Sequence, residues 1–143
     1  MKFSEHWLRT LCDPPIQAVF VYNCNPAATA PDQAAVLAQL RRDDVFVVCH
    51  DQVWTDTARL ADVVLPSTAF LEHREVSRGY GTMRLYDSRP VATPPGEARS
   101  NNQVFGTLLA RMGLAKPGEP TTDDELAAAI FASHPAGGEL RAQ

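Results

Sequence analysis

The alternation of apolar and polar positions divides this chain into strand-like and helix-like stretches. Residues 16–23 (IQAVFVYN) form a compact apolar run rich in β-branched and aromatic side chains, the pattern of a buried strand. Residues 45–49 (VFVVC) are apolar without interruption, as expected of a central parallel strand covered on both faces. A third short strand is predicted at Val63-Val64-Leu65, ended by Pro66, with Asp62 before it capping the preceding turn. Between the first two strands, Asn25-Pro26 opens a small loop. Residues 32–40 (DQAAVLAQL) then place Ala35, Val36, Leu37 and Leu40 on one helical face. Pro31 suits the first turn of that helix, with Thr29 or Ala30 near the cap. Arg41 and Arg42 close it, where the helix dipole favours positive charge. Thr55 to Ala61 reads as a short helical stretch capped by Thr55. Strand, helix, strand, helix, strand with connections this short predicts an α/β fold with a mostly parallel sheet and right-handed crossovers.

The flanks are different in character. Residues 4–12 (SEHWLRTLC) suggest a short leading helix, stopped by Asp13-Pro14-Pro15. Residues 67–82 are polar and read as a long loop facing a ligand or partner, and residues 83–92 as a short strand or hairpin. Residues 101–113 predict a helix with Val104, Phe105, Leu108, Leu109 and Met112 inward and Gly113 just past its end. Residues 121–133 (TTDDELAAAIFAS) predict a last helix with Thr121 or Thr122 as cap and an acidic first turn. The tail, 134–143, looks frayed. The expected organisation is a single, incomplete domain: a leading helix in 1–13, a core in 14–114, and a C-terminal linker and helix in 115–143.

Composition narrows the function classes. The 143 residues fit one domain, and 45% apolar content is enough for a core without a disulfide or metal staple. Seventeen acidic residues against 13 basic ones, a net charge of -4, argue against a nucleic-acid binder, which needs a concentrated basic face. The three cysteines, Cys12, Cys24 and Cys49, are an odd number without a C-x-x-C spacing. They form neither a disulfide framework nor a zinc or redox motif, and they suit a reducing compartment. No run approaches the 18 apolar residues of a membrane span, and Met1-Lys2-Phe3 leads into polar residues rather than a secretory signal.

Ligands of open α/β sheets bind outside the carboxyl ends of the strands. The first such end carries Asn23, Asn25 and Pro26; the second carries His50 and Asp51, followed by Thr55 and Thr57. A carboxylate there can accept hydrogen bonds from a purine ring or a ribose, and backbone N–H groups at the next helix start can hold a phosphate. Read equally plainly, Asn25-Pro26 is a turn and Thr55 a cap, and composition leaves both open. Cys49, His50 and Asp51 are consecutive, but adjacent strand residues face opposite sides, so Cys49 reads as core and not as a nucleophile. Glu72-His73 with Glu75 has metal-ligating chemistry but no enforced geometry, and reads as surface. Neither G-x-G-x-x-G nor a Walker A motif is present, and Arg78-Gly79-Tyr80-Gly81 is a weak glycine signal. No constellation amounts to a complete active site.

Four segments together resemble a known family: FVYNCNPAATAPD (20–32), VFVVCHDQVWTDTARLADVVLPSTAFLEH (45–73), PPGEARSN (94–101) and FGTLLARMG (105–113). In the second, an acidic residue, three positions, T-x-T-A, two positions, A-D-V-V-L-P and then a glutamate is a specific pattern. Over about 100 of the 143 residues the chain resembles the third, Rossmann-like domain of the molybdopterin oxidoreductases, the formate dehydrogenase and dimethyl sulfoxide reductase type. The resemblance implies a partial three-layer α/β domain that binds one guanosine end of molybdopterin guanine dinucleotide, with molybdenum or tungsten held elsewhere. Carried over by position, it implies cofactor-binding roles for Asn25, Pro26, His50 (through its backbone), Asp51, Thr55, Glu72 and Arg78, while Asp62 and Pro66 look structural. Many family members carry N-x-E-G-R where this chain has Ser77-Arg78-Gly79-Tyr80-Gly81, a departure that bears on Arg78.

The family's iron-sulfur cysteine cluster, its metal-ligating region and its final domain have no counterpart in these residues. The expectation is therefore a piece of a longer oxidoreductase that is inactive alone. Its partners would be the remaining domains, with a 4Fe-4S cluster upstream and a small redox substrate. The alternatives are a freestanding guanine-nucleotide-binding or cofactor-assembly module derived from that domain, and a structural remnant. A partial sheet leaves an exposed edge, which predicts a homodimer. The location expected is cytoplasmic, or periplasmic where an export signal lies upstream.

Overall fold

The computed structural model describes residues 16–81 and 84–133. The leading helix expected at 4–12 and the tail at 134–143 lie outside the described residues. The chain divides at the Pro66–Ser67 junction into two compact units.

The first unit is an α/β arrangement. It runs β1 (Ala18–Tyr22), α1 (Pro26–Thr29), α2 (Gln33–Leu40), β2 (Phe46–Asp51), a 3-10 turn (Ala58–Leu60) and β3 (Val63–Pro66). All three strands are parallel in the order β1-β2-β3. The strand with the densest apolar run, β2, takes the middle place, and Val47 on it is 1% exposed. Val47 packs with Val45 and with Ala27, Val36 and Leu40 from the two helices. Each valine or leucine so buried contributes about 1.5–3 kcal/mol. The strand runs two residues further than its apolar run, with His50 opposite Tyr22 and Leu65, and Asp51 opposite Pro66.

Three local expectations are corrected here. Asn25-Pro26 starts a four-residue helix instead of a loop, because proline at the first helical position lacks only an N–H that would have no partner there. The cap of α2 is Asp32, whose side chain accepts from the Ala35 N–H at 3.3 Å, so Pro31 lies outside the helix. Asp32 reaches this position with a left-handed φ of 55°, tolerated in aspartate by its short polar side chain. Asp62 does not cap the preceding turn. Its N–H donates to the Val47 carbonyl at 2.9 Å and its Oδ2 accepts the Val47 N–H at 2.7 Å. The β2–β3 ladder begins only at Val48, so this carboxylate supplies the acceptor that the previous strand amide lacks.

The second unit contains an antiparallel pair, β4 (Glu75–Arg78) and β5 (Leu85–Ser88), followed by α3 (Asn101–Arg111) and α4 (Asp123–Ser133). The stretch 67–82, expected as a loop, thus contributes a strand. Arg74 ties β5 to α4: its guanidinium donates to both Asp87 carboxylate oxygens at 2.7 Å and to Asp124 at 2.8 Å. Ser100 and Gln103 form a reciprocal capping box at the start of α3. Gly113, at φ 69°, follows the helix as expected. Its inward face is narrower than expected, with Val104 buried but Leu109 and Met112 exposed. No helix among the described residues is long and apolar enough to cross a membrane.

Candidate functional site

Strand β2 delivers Asp51 to the carboxyl edge of the sheet, where a cleft of about 670 Å³ opens. Its walls include Asp51, Gln52, Trp54, Arg59, Asp62 and Pro66, all from the first unit. Ligand pockets generally span about 300–1,000 Å³. Asp51 is half-buried and held at both oxygens. Oδ1 accepts the Gln52 N–H at 2.8 Å, and Oδ2 accepts the Thr55 hydroxyl at 3.3 Å. An ionised carboxylate has about four acceptor positions, so each oxygen keeps capacity for a ligand donor. Thr55 is also the expected cap, its hydroxyl oxygen accepting the Ala58 N–H at 3.1 Å.

Asn25 is brought to the same turn from the end of β1. Its Oδ1 accepts from the Thr57 N–H at 3.2 Å and from the Thr57 hydroxyl at 2.8 Å. The Thr57 hydroxyl oxygen in turn accepts the Ala27 N–H at 3.1 Å, and Thr57 is wholly buried. The carbonyl oxygen of the Asn25 side chain is therefore spent inside the protein, and Pro26 serves the start of α1.

Most of the backbone amides expected to hold a phosphate after β2 are bonded within the turn; those of Val53, Trp54 and Asp56 are not. Thr57 N–H donates to Asn25, Ala58 N–H to the Thr55 hydroxyl and Arg59 N–H to the Thr55 carbonyl. Leu60, Ala61 and Asp62 donate to Thr57, Ala58 and Val47 carbonyls. These amides stabilise the turn and have nothing left for an anion.

His50 faces away from Asp51, as strand alternation requires, and has no exposed surface. Its Nδ1 lies 3.1 Å from the Leu65 carbonyl, which can only accept, so Nδ1 carries the hydrogen. Its Nε2 is buried without a hydrogen-bond partner. Cys49 is fully buried, and burial first, then the Asp51 charge, push its thiol pKa up, against the Thr55 hydrogen bond. A neutral, enclosed thiol is core, as the strand pattern indicates.

Glu72 and Arg78 belong to the second unit. Glu72 closes a local turn, its Oε2 accepting the Ala69 N–H at 2.9 Å. His73 Nδ1 lies 2.9 Å from the Thr68 hydroxyl and 3.0 Å from the Ala69 carbonyl. Among the described residues no group of three or more His, Cys, Asp or Glu side chains could hold a metal ion. Arg78 lies on β4 opposite Leu85, with its side chain exposed.

The cleft residues not singled out from sequence include Gln52, Val53, Trp54 and Arg59. Trp54 is 66% exposed, and the Arg59 guanidinium makes no hydrogen bond or ion pair among the described residues. The signal available was a tryptophan placed between a strand end and a turn, where no helical or strand periodicity calls for one.

The molybdopterin oxidoreductase family profile matches residues 3–111. The chain belongs to the molybdopterin oxidoreductases. As a member of that family it is similar to the probable oxidoreductase YoaE of Bacillus subtilis (strain 168), with 40% identity over 114 residues, 80% of this chain and 16% of that protein. It is also similar to acetylene hydratase of Syntrophotalea acetylenica, with 36% identity over 70% of this chain and 14% of that enzyme. Trimethylamine-N-oxide reductase of Haemophilus influenzae is 32% identical over 71% of this chain and 12% of that enzyme. Among solved structures, acetylene hydratase from Pelobacter acetylenicus superposes with a TM-score of 0.72 at 29% identity, over 93% of this chain and 18% of that one. This molybdopterin oxidoreductase sequence therefore spans less than a fifth of the length of those relatives. Its α/β unit with a parallel sheet is related to the fold of that family.

Proposed function

We propose that this chain is part of a larger molybdopterin-dependent oxidoreductase, corresponding to its third, Rossmann-like domain, and that it holds one guanosine end of molybdopterin guanine dinucleotide at Asp51. The observation that carries this reading is the Asp51 carboxylate, half-buried, fixed at both oxygens and open to a ligand-sized cleft at the carboxyl edge of the sheet. Guanine presents two adjacent donors, N1–H and the N2 amino group, which one carboxylate can accept together. Adenine lacks that pair. The residues present thus fit the nucleotide end of the cofactor.

When bound, the metal–pterin group would supply two-electron oxidation or oxygen-atom transfer. This chain's part is to bind and orient. Thr55 and the Gln52 N–H position the carboxylate, and the Asn25–Thr57 pair fixes the turn that walls the cleft. The residues for turnover and for metal ligation, and any iron-sulfur cluster, belong to the remaining domains, which are this chain's partners. Glu72 and Arg78 keep a proposed place toward the pterin side, Arg78 on the weaker footing because the family's N-x-E-G-R is replaced.

A second reading rests on the cleft being formed entirely within the first unit, which favours a freestanding guanine-nucleotide-binding or cofactor-assembly module. Calorimetric titration with GMP and AMP tests the shared core of both readings. GMP is expected to bind at least tenfold more tightly than AMP. Asp51→Ala should remove that preference, since one hydrogen bond to a charged group is worth about 1.5–3 kcal/mol. Equal affinity for the two nucleotides, or a preference untouched by the substitution, would overturn the assignment. The length of the native open reading frame separates the two readings: several hundred residues with an upstream cysteine cluster means a domain, flanking stop codons a module.

A further inference from the structure

Strand alternation gives the three-stranded sheet two unlike faces. Val47 and Cys49 point to one of them and are buried, and α1, α2 and the 3-10 turn pack on the Val47 side. Phe46, Val48 and His50 point to the other, beside Phe20 and Tyr22 of β1 and Val63 of β3. His50 has no exposed surface, but Phe46 is 51%, Tyr22 47% and Val63 38% exposed. The Phe20 and Tyr22 rings meet edge to face with centroids 6.4 Å apart. This second face thus keeps apolar and aromatic surface in water, along β1 and at the start of β2.

Its dimensions select what can cover it. Strands of four to six residues are about 13–20 Å long, and three of them side by side are about 10 Å across. That is the footprint of a single helix, about 10 Å in diameter. A stable contact between two proteins takes about 800 Å² from each partner, several times this area. A second copy of the chain would gain too little here.

The chain itself carries a segment of the right size. The strand β1 is entered at the amino-terminal end of the face, where the Gln17 carbonyl accepts the Phe46 N–H at 2.8 Å. Residues 4–12, whose sequence pattern is helical, belong to the same unit and lie outside the described residues. Nine residues make about 14 Å of helix, close to the length of β1. Trp7, Leu8 and Leu11 would share one side of it. Asp13-Pro14-Pro15 reaches about 10 Å when extended, the spacing between packed layers, and proline disfavours a continued helix there. A helix joined to β1 in this way runs back antiparallel to the strand, and the Val47 side is already filled.

We infer that residues 4–12 dock as a helix across this second face, laying Trp7, Leu8 and Leu11 on Phe20, Tyr22 and Phe46. The inference is independent of the nucleotide assignment, because Asp51 projects from the opposite face of β2.

The test is the solvent access of Trp7 in the whole chain. The chain has two tryptophans, and Trp54→Phe leaves Trp7 alone; Trp54 is 66% exposed, so the exchange is tolerated. Acrylamide should then quench Trp7 fluorescence several-fold more slowly in the native protein than in urea, at every protein concentration. Adding Phe46→Asp or Tyr22→Asp should bring quenching up to the unfolded value while the circular dichroism of the sheet is kept. Nuclear Overhauser contacts from the Trp7 indole to the Phe20, Tyr22 or Phe46 rings read the same placement with no substitution on the face. Quenching as fast in the native protein as in urea overturns the inference. So do protection that both aspartate variants leave intact and the absence of those ring contacts. Protection lost on dilution, with the sedimented mass halving, puts a second copy on the face and overturns it too.

Discussion

The side-chain oxygen of Asn25 accepts both hydrogen bonds that Thr57 offers, at 3.2 Å from its N–H and 2.8 Å from its hydroxyl, across 32 residues of chain. The pair joins the loop after β1 to the turn after β2, and the Thr57 hydroxyl extends the connection to the Ala27 N–H. Thr57 is fully buried, so no water replaces a lost partner there.

Thr57→Val keeps the shape and removes the hydroxyl, leaving the Ala27 N–H without an acceptor. It should destabilise the chain by about 1–3 kcal/mol. Asn25→Ala should cost a similar amount, and the double substitution should cost less than the sum, because both remove one network. Urea denaturation of the four proteins measures the coupling. Additive losses would mean that the two side chains act independently.

The cysteines should differ sharply in reactivity. Cys24 is exposed and Cys49 is buried, with burial raising the Cys49 thiol pKa. Iodoacetamide at neutral pH, followed by peptide mapping, should modify Cys24 within minutes and leave Cys49 unmodified until denaturant is added. Modification of Cys49 at the rate of Cys24 in the native protein would contradict its place in the core.

Arg74 should give the second unit an acid-sensitive contact. Its hydrogen bonds hold the Asp87 carboxyl below the ordinary aspartate range, about 3.9. A carboxyl depressed on folding contributes stability that is fully present above the unfolded pKa and is lost as pH falls through the folded one. The loss should therefore begin below about pH 4. Arg74→Gln should lower stability by about 1 kcal/mol near neutrality, the scale of a partly exposed ion pair, and flatten the acid limb of the pH profile. A profile identical to that of the unsubstituted chain would show that the contact contributes nothing in solution.

Much of the fold was legible in the residues because the relevant signals are local. An uninterrupted apolar run marks a strand inside the sheet, and β2 is the middle strand, although it is not covered on both faces as expected: Val47 and Cys49 are buried while Phe46 is 51% exposed. The apolar periodicity of residues 101–113 and Gly113 after the last turn mark α3, whose Ser100–Gln103 capping box the structure adds. Asp51 and Thr55 could be singled out for the same reason: a strand end followed by a capped turn is written in consecutive residues, and the two side chains do meet. The family, too, was legible in the spacing around T-x-T-A and A-D-V-V-L-P.

The tertiary structure decided how donors and acceptors are shared out. Asp62 looked like a local cap and instead serves Val47, 15 residues away, because only the assembled sheet reveals a strand amide without a partner. The Asn25 side-chain oxygen, at a candidate ligand contact, accepts from Thr57, 32 residues away. Most of the turn amides after β2 are used within the turn, while the Arg59 guanidinium, which lines the cleft, makes no hydrogen bond or ion pair among the described residues. Periodicity depends on neighbours along the backbone and can be read from one string. The allocation of hydrogen bonds depends on which distant groups the fold brings within about 3 Å, and that exists only once the strands have paired.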